Sequence, residues 1–197
     1  MTRCIRLANL DDASAIRAIY SPSVINTPIS FEFAPPTEQE MRQRIEHILP
    51  THPWLVCEEQ GEVLGYAYAS QHHVRLGYQW SADVSAYIHE QWRGKGIGKA
   101  LYTSLFALLR LQGFYNVYAG ITLPNPASVA LHESMGMCQL GVYQQVGYKQ
   151  GAWYDVGWWQ KSLQPHILEP MPPLDLESVQ MLPEWEEALL YGLNFER

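Results

Sequence analysis

At 197 residues, with 47% hydrophobic and 12% aromatic side chains against 17% charged, the chain can bury one sizeable core, which excludes disorder throughout. Twenty acids against thirteen bases give a net charge of −7, which excludes retention on nucleic acid by a general basic surface. No stretch approaches the ~18 unbroken apolar residues of a membrane span, and Met1-Thr2-Arg3-Cys4-Ile5-Arg6 lacks the apolar core of a signal peptide; a cytoplasmic location, with neither nucleic acid nor membrane as partner, is the expectation.

In chain order, Thr2–Leu7 alternates weakly and reads as a strand. Asp11-Asp12 opens a helix through Tyr20, with Ala15, Ile16 and Ile19 on one face. Ser21–Pro36 holds four prolines and reads as an irregular loop. Thr37-Glu38-Gln39-Glu40 is a capping box that starts a helix to about Leu49. Trp54–Glu59, a turn at Gln60-Gly61 and Val63–Ser70 predict a hairpin, and Ser81–Ile88 another strand. A glycine-rich run, Arg93-Gly94-Lys95-Gly96-Ile97-Gly98, leads into a helix to Gln112 striped by Leu101, Leu105, Leu108 and Leu109. Tyr115–Thr122 predicts a strand and Pro126–Met135 a short helix closed by Gly136. Cys138–Val146 and Trp153–Lys161 predict two last strands around a Gly147–Gly151 turn. Such an order is that of an α+β or mixed α/β domain, not of a repeating βαβ array.

Residues 164–197 have a different character. Seven of the acids lie there (Glu169, Asp175, Glu177, Glu184, Glu186, Glu187 and Glu196) against one base, Arg197, which leaves residues 1–163 at a net −1. Pro165, Pro170, Pro172 and Pro173 make a stiff linker, followed by an amphipathic piece with Leu182, Trp185, Leu189 and Leu193 as its apolar residues. The expected division is a domain over 1–163 and an acidic appendage over 164–197, which either recruits a partner or folds back on the body or on a second copy. Cys4, Cys57 and Cys138 are odd in number, widely spaced and without a CxxC pair, so neither a disulfide framework nor a zinc site is indicated.

The run Gln91–Gly98 between a strand and a helix carries the strongest chemical signal. Its alternating glycines let the backbone approach a bulky anion, and the helix behind them aims its unpaired N–H groups and positive dipole end at it. A phosphate or pyrophosphate cradle fits; the spacing matches neither G-x-G-x-x-G nor a P-loop. An ordinary glycine-rich turn is the plainer alternative.

Arg93-x-x-Gly96-x-Gly98 resembles the R/Q-x-x-G-x-G/A pyrophosphate motif of the GNAT acetyltransferases, and the order of strands is similar to that fold. Asn125-Pro126-Ala127-Ser128-Val129-Ala130-Leu131-His132-Glu133-Ser134-Met135-Gly136-Met137 is similar to the family's N-x-x-[AS]-x-x-[LH]-[YH]-x-x-x-G-[FM]. The phosphinothricin and methionine sulfone (methionine sulfoximine) N-acetyltransferase branch is further suggested by Tyr20, Phe31, Pro53-Trp54-Leu55-Val56, Arg75-x-x-Tyr78-x-Trp80, Gly147-Tyr148-Lys149 and Trp153-x-Asp155-Val156-Gly157-x-Trp159-Gln160. The resemblance covers about residues 3–163.

It implies a mostly antiparallel central sheet, splayed at the cofactor site and flanked by helices on both faces, that binds acetyl-CoA. Ala86, Tyr87 and Ile88 would pair with the pantetheine amides. Arg93, Gly94, Lys95, Gly96, Ile97, Gly98 and Lys99 would hold the pyrophosphate, and Asn125 the pantetheine arm; Asn125 also reads as a helix N-cap before Pro126. Acetyl transfer to a small-molecule amine needs a base for the ammonium, a donor for the oxyanion and a proton for the departing thiolate. A glutamate of the central strand is the family's base. Asp83 stands there, one methylene shorter, which favours a water relay; a strand-end acid paired with Arg75 or an N–H is the alternative. His132 stands where many members have the thiolate-protonating tyrosine, and also reads as a satisfied helix histidine. Ser128 and His132 are helical neighbours with no evident acidic third partner.

Arg75 is the candidate for gripping a substrate carboxylate, with Tyr78 adding a hydroxyl and Phe31 an apolar wall; a solvated loop charge is the plain alternative for Arg75. His72-His73 reads as bland, since adjacent strand residues point to opposite faces, and no metal is expected. Trp153, Trp158 and Trp159 read as core and interface. A homodimer is implied. A polyamine, an aminoglycoside or a protein N-terminus is a second possible acceptor class, and a non-catalytic acyl-CoA sensor a third reading.

Overall fold

The computed structural model describes residues 3–194. Thr2 of the first expected strand, and Glu196 and Arg197 of the acidic appendage, lie outside the described residues. Seven strands form one sheet: β1 (Cys4–Leu7), β2 (Trp54–Glu59), β3 (Glu62–Gln71), β4 (Ser81–Ile88), β5 (Asn116–Leu123), β6 (Cys138–Lys149) and β7 (Ala152–Ser162). Their spatial order is β1-β2-β3-β4-β5-β7-β6. Every neighbouring pair is antiparallel except β4 and β5, which run parallel.

Side chains alternate across a strand, so the sheet buries two separate faces. Helices α1 (Ala13–Asn26) and α2 (Glu38–Ile48) cover one, over Trp54, Val56 and Tyr66. Helix α3 (Ile97–Gln112) covers the other, with Leu101, Leu105, Leu108 and Leu109 fully buried against Leu55, Leu64, Ala67, Ala82 and Val117. Short α4 (Pro126–Ser134) joins β5 to β6.

Several boundaries follow the sequence reading closely. Thr37 caps α2 by accepting from Glu40 N, and the Glu40 carboxylate accepts from Thr37 N at 2.6 Å. Gly113, in the left-handed region at φ 99°, closes α3.

Other boundaries are corrected. Asp11 and Asp12 lie in a 3₁₀ turn over Leu10–Asp12, where Asp12 accepts from Asn9 N and from Arg6; the α-helix starts at Ala13. That helix does not stop at Tyr20 but runs through Pro22 to Asn26. Pro22 has no N–H to return to the preceding turn. Burial of Ser23 and Val24 and hydroxyl bonds from Ser21 to Arg17 O and from Thr27 to Ser23 O hold the helix past it. The last turn is also shorter than its glycines suggest: β6 continues through Gly147 to Lys149, leaving Gln150-Gly151 as the turn.

The segment after Ser162 packs on the body. Leu174 N donates to Gln112 O at 2.8 Å, and Trp80 Nε1 to Met171 O at 2.8 Å, which pins the proline-rich stretch. Helix α5 (Leu176–Gln180), capped by Asp175, buries Leu176 and Val179. Helix α6 (Trp185–Asn194) buries Trp185 and Leu189, and Leu182 and Leu193 pack on the same core. All four apolar residues of the amphipathic piece therefore face α3 and the sheet rather than solvent. Gly192 N donates to Ser104 Oγ at 3.0 Å, and a Cβ at Gly192 would overlap the Ala100 carbonyl. Gly192→Ala is therefore expected to lower stability by about 1–3 kcal/mol, read by urea unfolding; an unchanged midpoint would show that α6 does not dock this closely.

Candidate functional site

Strands β4 and β5 pair only over Ser81–Asp83 and Asn116–Tyr118. Beyond that point the β5 side of β4 has no strand partner, while β3 stays paired with β4 as far as Ile88. The strands part because each is held by a different neighbour: β4 by β3, and β5 by β7 along all eight of its residues.

A cleft of about 540 Å³ fills the gap. Its walls include Val84–Ile88 of β4, Gly120–Thr122 of β5, the loop from Trp92 to Lys99, and Asn125 with much of α4. Of the residues expected at a cofactor, Ala86, Tyr87, Ile88, Arg93, Gly94, Gly96, Ile97, Gly98, Lys99 and Asn125 all stand on this wall. Lys95 does not; its ammonium lies over the Trp92 ring, 4.2 Å from the centroid.

The glycine run has the form of an anion cradle. Gly94 and Gly96 take φ 73° and 81°, a conformation that L side chains rarely adopt. Gly96 is the N-cap of α3 with no side-chain cap, so the first N–H groups of that helix remain open to an anion. Asn125 is both cap and wall: its Oδ1 accepts from Ser128 N at 3.2 Å while the residue lines the cleft. An unpaired strand edge for amides and a bared helix N-terminus for phosphates on the walls of one cleft fit an acyl-CoA.

His132 is buried on the α4 wall. Its Nδ1 lies 2.7 Å from Ser128 O, which only accepts, so Nδ1 carries the proton; Nε2 then accepts from the Tyr102 hydroxyl at 3.0 Å. Burial lowers the His132 pKa, against a smaller opposing effect of the Ser128 carbonyl. Burial pushes the Tyr102 hydroxyl well up. The pair is thus neutral, and His132 has no proton aimed into the cleft. Tyr102 was missed in the sequence, where it is one aromatic in an apolar helix; its place one turn after Gly98 is the only signal.

Asp83 lies on β4 at the last position paired with β5, and its carboxylate is 2.7 Å from His72 Nδ1 rather than paired with Arg75. Burial raises the Asp83 pKa, and the His72 hydrogen bond opposes it. The strand placement of the two histidines is also corrected. They lie past the end of β3, where strand alternation no longer applies, with ring centroids 4.7 Å apart. Arg75 and Tyr78 are on the exposed β3–β4 loop; Tyr78 packs 4.8 Å from the His73 ring, and the Arg75 guanidinium makes no hydrogen bond or ion pair among the described residues. Phe31 is not on the cleft wall: its ring occupies the space a side chain at Gly147 would need. Beside it, Glu32 is held by Arg44 at 2.7 and 3.0 Å and accepts from the Tyr20 hydroxyl at 2.9 Å. Sequence reading did not single out this network, whose members are far apart in the chain.

Residues 5–158 match the model of the acetyltransferase (GNAT) domain. The phosphinothricin N-acetyltransferase of Streptomyces viridochromogenes is 35% identical over 178 residues, covering 90% of this chain and 95% of that one. The L-methionine sulfoximine/L-methionine sulfone acetyltransferase of Salmonella typhimurium is 33% identical over 163 residues, covering 82% and 95%. Among solved structures, a phosphinothricin acetyltransferase from Sinorhizobium meliloti in complex with AcCoA superposes with a TM-score of 0.82 at 36% identity, covering 87% of this chain and 94% of that one.

Because burial lowers the His132 pKa, the unfolded chain binds a proton there that the folded chain refuses. Stability contributed at this site is therefore present above the free-histidine value of about 6.5 and is lost as pH falls below it. His132→Gln is expected to flatten the fall in unfolding free energy between about pH 7.5 and 5.5, measured with urea; an unaltered slope would show that His132 titrates normally.

Proposed function

The chain belongs to the GNAT acetyltransferases and uses acetyl-CoA as its co-substrate, and from that premise we propose that its acceptor is the α-amine of a small amino acid or analogue bearing a tetrahedral sulfur or phosphorus group. The observation that carries this reading is likeness along nearly the whole chain to enzymes named for phosphinothricin and for methionine sulfoximine and sulfone. Arg75 supports it as a guanidinium without a partner among the described residues, on the loop beside the closed end of the splay; such a fork grips a carboxylate at two points.

In this reading pantetheine adds to the free edge of β4 at Ala86–Ile88, the α3 N-terminus and the Arg93–Lys99 loop take the pyrophosphate, and Asn125 bonds the arm. The amine arrives at the Asp83 end, where a carboxylate favours loss of the ammonium proton. Tyr102 lies on the cleft wall with its hydroxyl kept protonated by burial. It turns from Nε2 to give its proton to the departing thiolate, with His132 acting through it as a positioning residue. Tyr78 flanks the acceptor. Phe31, packed on Gly147, serves as a wall only if the acceptor extends toward β6.

A homodimer completes the proposal. The edge strand β6 and the start of β7 expose Leu140, Val142, Tyr143, Val146, Tyr148 and Trp153, an apolar strip that a second copy would cover. Cys4, Cys57 and Cys138 are not joined in a disulfide, in keeping with the cytoplasm. No helix among the described residues is long and apolar enough to cross a membrane.

Release of CoA from acetyl-CoA is to be followed over a panel containing phosphinothricin, methionine sulfone, common amino acids, spermidine, an aminoglycoside and a peptide N-terminus. Turnover is expected with the first two, and turnover confined to the last three would overturn the acceptor. Arg75→Ala is expected to raise KM for the acceptor about tenfold or more while KM for acetyl-CoA stays put; an unchanged acceptor KM removes Arg75 from the site. Sedimentation equilibrium is expected to give twice the chain mass, and Tyr143→Glu to shift it toward one chain; a monomeric wild type would contradict the dimer.

A further inference from the structure

One polar pair at the closed end of the splay is not accounted for by the family pattern. His72 Nδ1 lies 2.7 Å from Asp83 Oδ1 on β4, and the His72 ring lies flat on Tyr118 of β5, with centroids 4.3 Å apart and planes 14° from parallel. Asp83 and Tyr118 are the last residues at which those strands pair. The imidazole therefore bridges the two strands where they begin to part.

A carboxylate only accepts hydrogen bonds, so Nδ1 of the neutral ring carries the proton and Nε2 keeps a free lone pair. Nε2 has no hydrogen-bond partner among the described residues. The His72 side chain is 16% exposed, sheltered yet reachable. Asp83 and Ser85 share one face of β4 by strand alternation. Ser85 lines the cleft, and two residues of strand span about 7 Å, the reach of one amine or one amine and a water. The titratable groups around the ring are Asp83 of β4, Tyr118 of β5, and His73 and Tyr78 of the following loop, with Tyr68 of β3 near Asp83.

We propose that His72 is the general base of the acetyl transfer, with Asp83 as the group that orients its ring and stabilises its charged form. The inference rests on the acetyl-transfer reading and deepens it. Nε2 takes one proton from the substrate ammonium, directly or through one water, leaving an imidazolium bonded to the Asp83 carboxylate. The freed nitrogen lone pair forms the C–N bond at the thioester carbonyl. The C–S bond then breaks, the sulfur takes a proton from Tyr102, and the second proton of the new amide nitrogen returns to that tyrosine through solvent. Imidazolium releases its proton to water. The products are amide, CoA thiol and one proton. The imidazole extends the reach of Asp83, which is one methylene shorter than the glutamate that the family pattern has at this position.

The test uses the full chain, acetyl-CoA and whichever amine the wild type turns over. His72→Ala is expected to lower kcat about a hundredfold or more with KM for acetyl-CoA within about twofold. Imidazole added to the buffer is expected to restore turnover in proportion to its neutral fraction. His72→Asn, whose amide can keep the bond to Asp83, guards against loss of fold and is expected to show the same fall in kcat. Either variant retaining more than about a third of wild-type kcat, with Asp83→Asn inactive, makes the carboxylate alone the base and overturns the proposal. Loss in both variants with acetyl-CoA binding intact but no rescue of His72→Ala overturns it as well. A wild type that acetylates no amine would instead fail the acceptor reading, so the two failures are distinguishable.

Discussion

Everything chemical in this protein depends on two parallel strands that stop pairing. β4 and β5 share three residue pairs and then diverge, because β3 holds one and β7 the other along its length. A sheet ordinarily hides its backbone groups in ladders; here one strand edge is left with its amides unspent in the middle of the molecule. An unpaired edge in an interior is costly unless something pairs with it. On the proposed reading, an extended amide-bearing arm such as pantetheine would supply that partner, and the helix N-terminus at Gly96 would receive the anionic end of the same molecule.

The helices around the sheet keep that geometry rigid. α3 presents its N-terminus to the cleft and is clamped along its length, by the sheet beneath and by α6 across it, where Gly192 lets the two backbones come close. The acidic segment is thereby part of the frame of α3. On the opposite face, the Glu32–Arg44–Tyr20 network and Lys149, which donates to Val24 O and Ser30 O at 2.5 Å, tie down the segment between α1 and α2. The acceptor side of the splay is thus bounded by groups fixed through charge-assisted bonds.

Much of this was legible in local chemistry. The Thr37 capping box, the glycines before α3 and the Gly113 stop each act within one turn of chain, so a single sequence displays them. The cradle and the Asn125 cap were readable for the same reason. Long-range packing was not. Pro22 argues locally for a break, and the burial of Ser23 and Val24, with hydroxyl bonds from Ser21 and Thr27, carries α1 past it. The continuation of β6 through Gly147 is set by pairing with β7 and by the Phe31 ring on that glycine. Tyr102 pairs with His132 from 30 residues away, and His72 meets Asp83 across 11 residues and two strand ends. The family pattern marks Asp83; His72 reads as bland beside His73, because nothing in its neighbours' identity announces which carboxylate the fold will bring to it.

The account stands on the acceptor amine entering at the closed end of the splay, on the α1–α2 face of the sheet. A crystal structure with CoA and the N-acetylated product bound tests this most directly. The account predicts pantetheine lying along Val84–Ile88, with the amide nitrogen within a hydrogen bond, or one water, of His72 Nε2 and the sulfur beside Tyr102. An amide nitrogen seated instead on the α4 side, against His132 and remote from the His72–Asp83 pair, would contradict it.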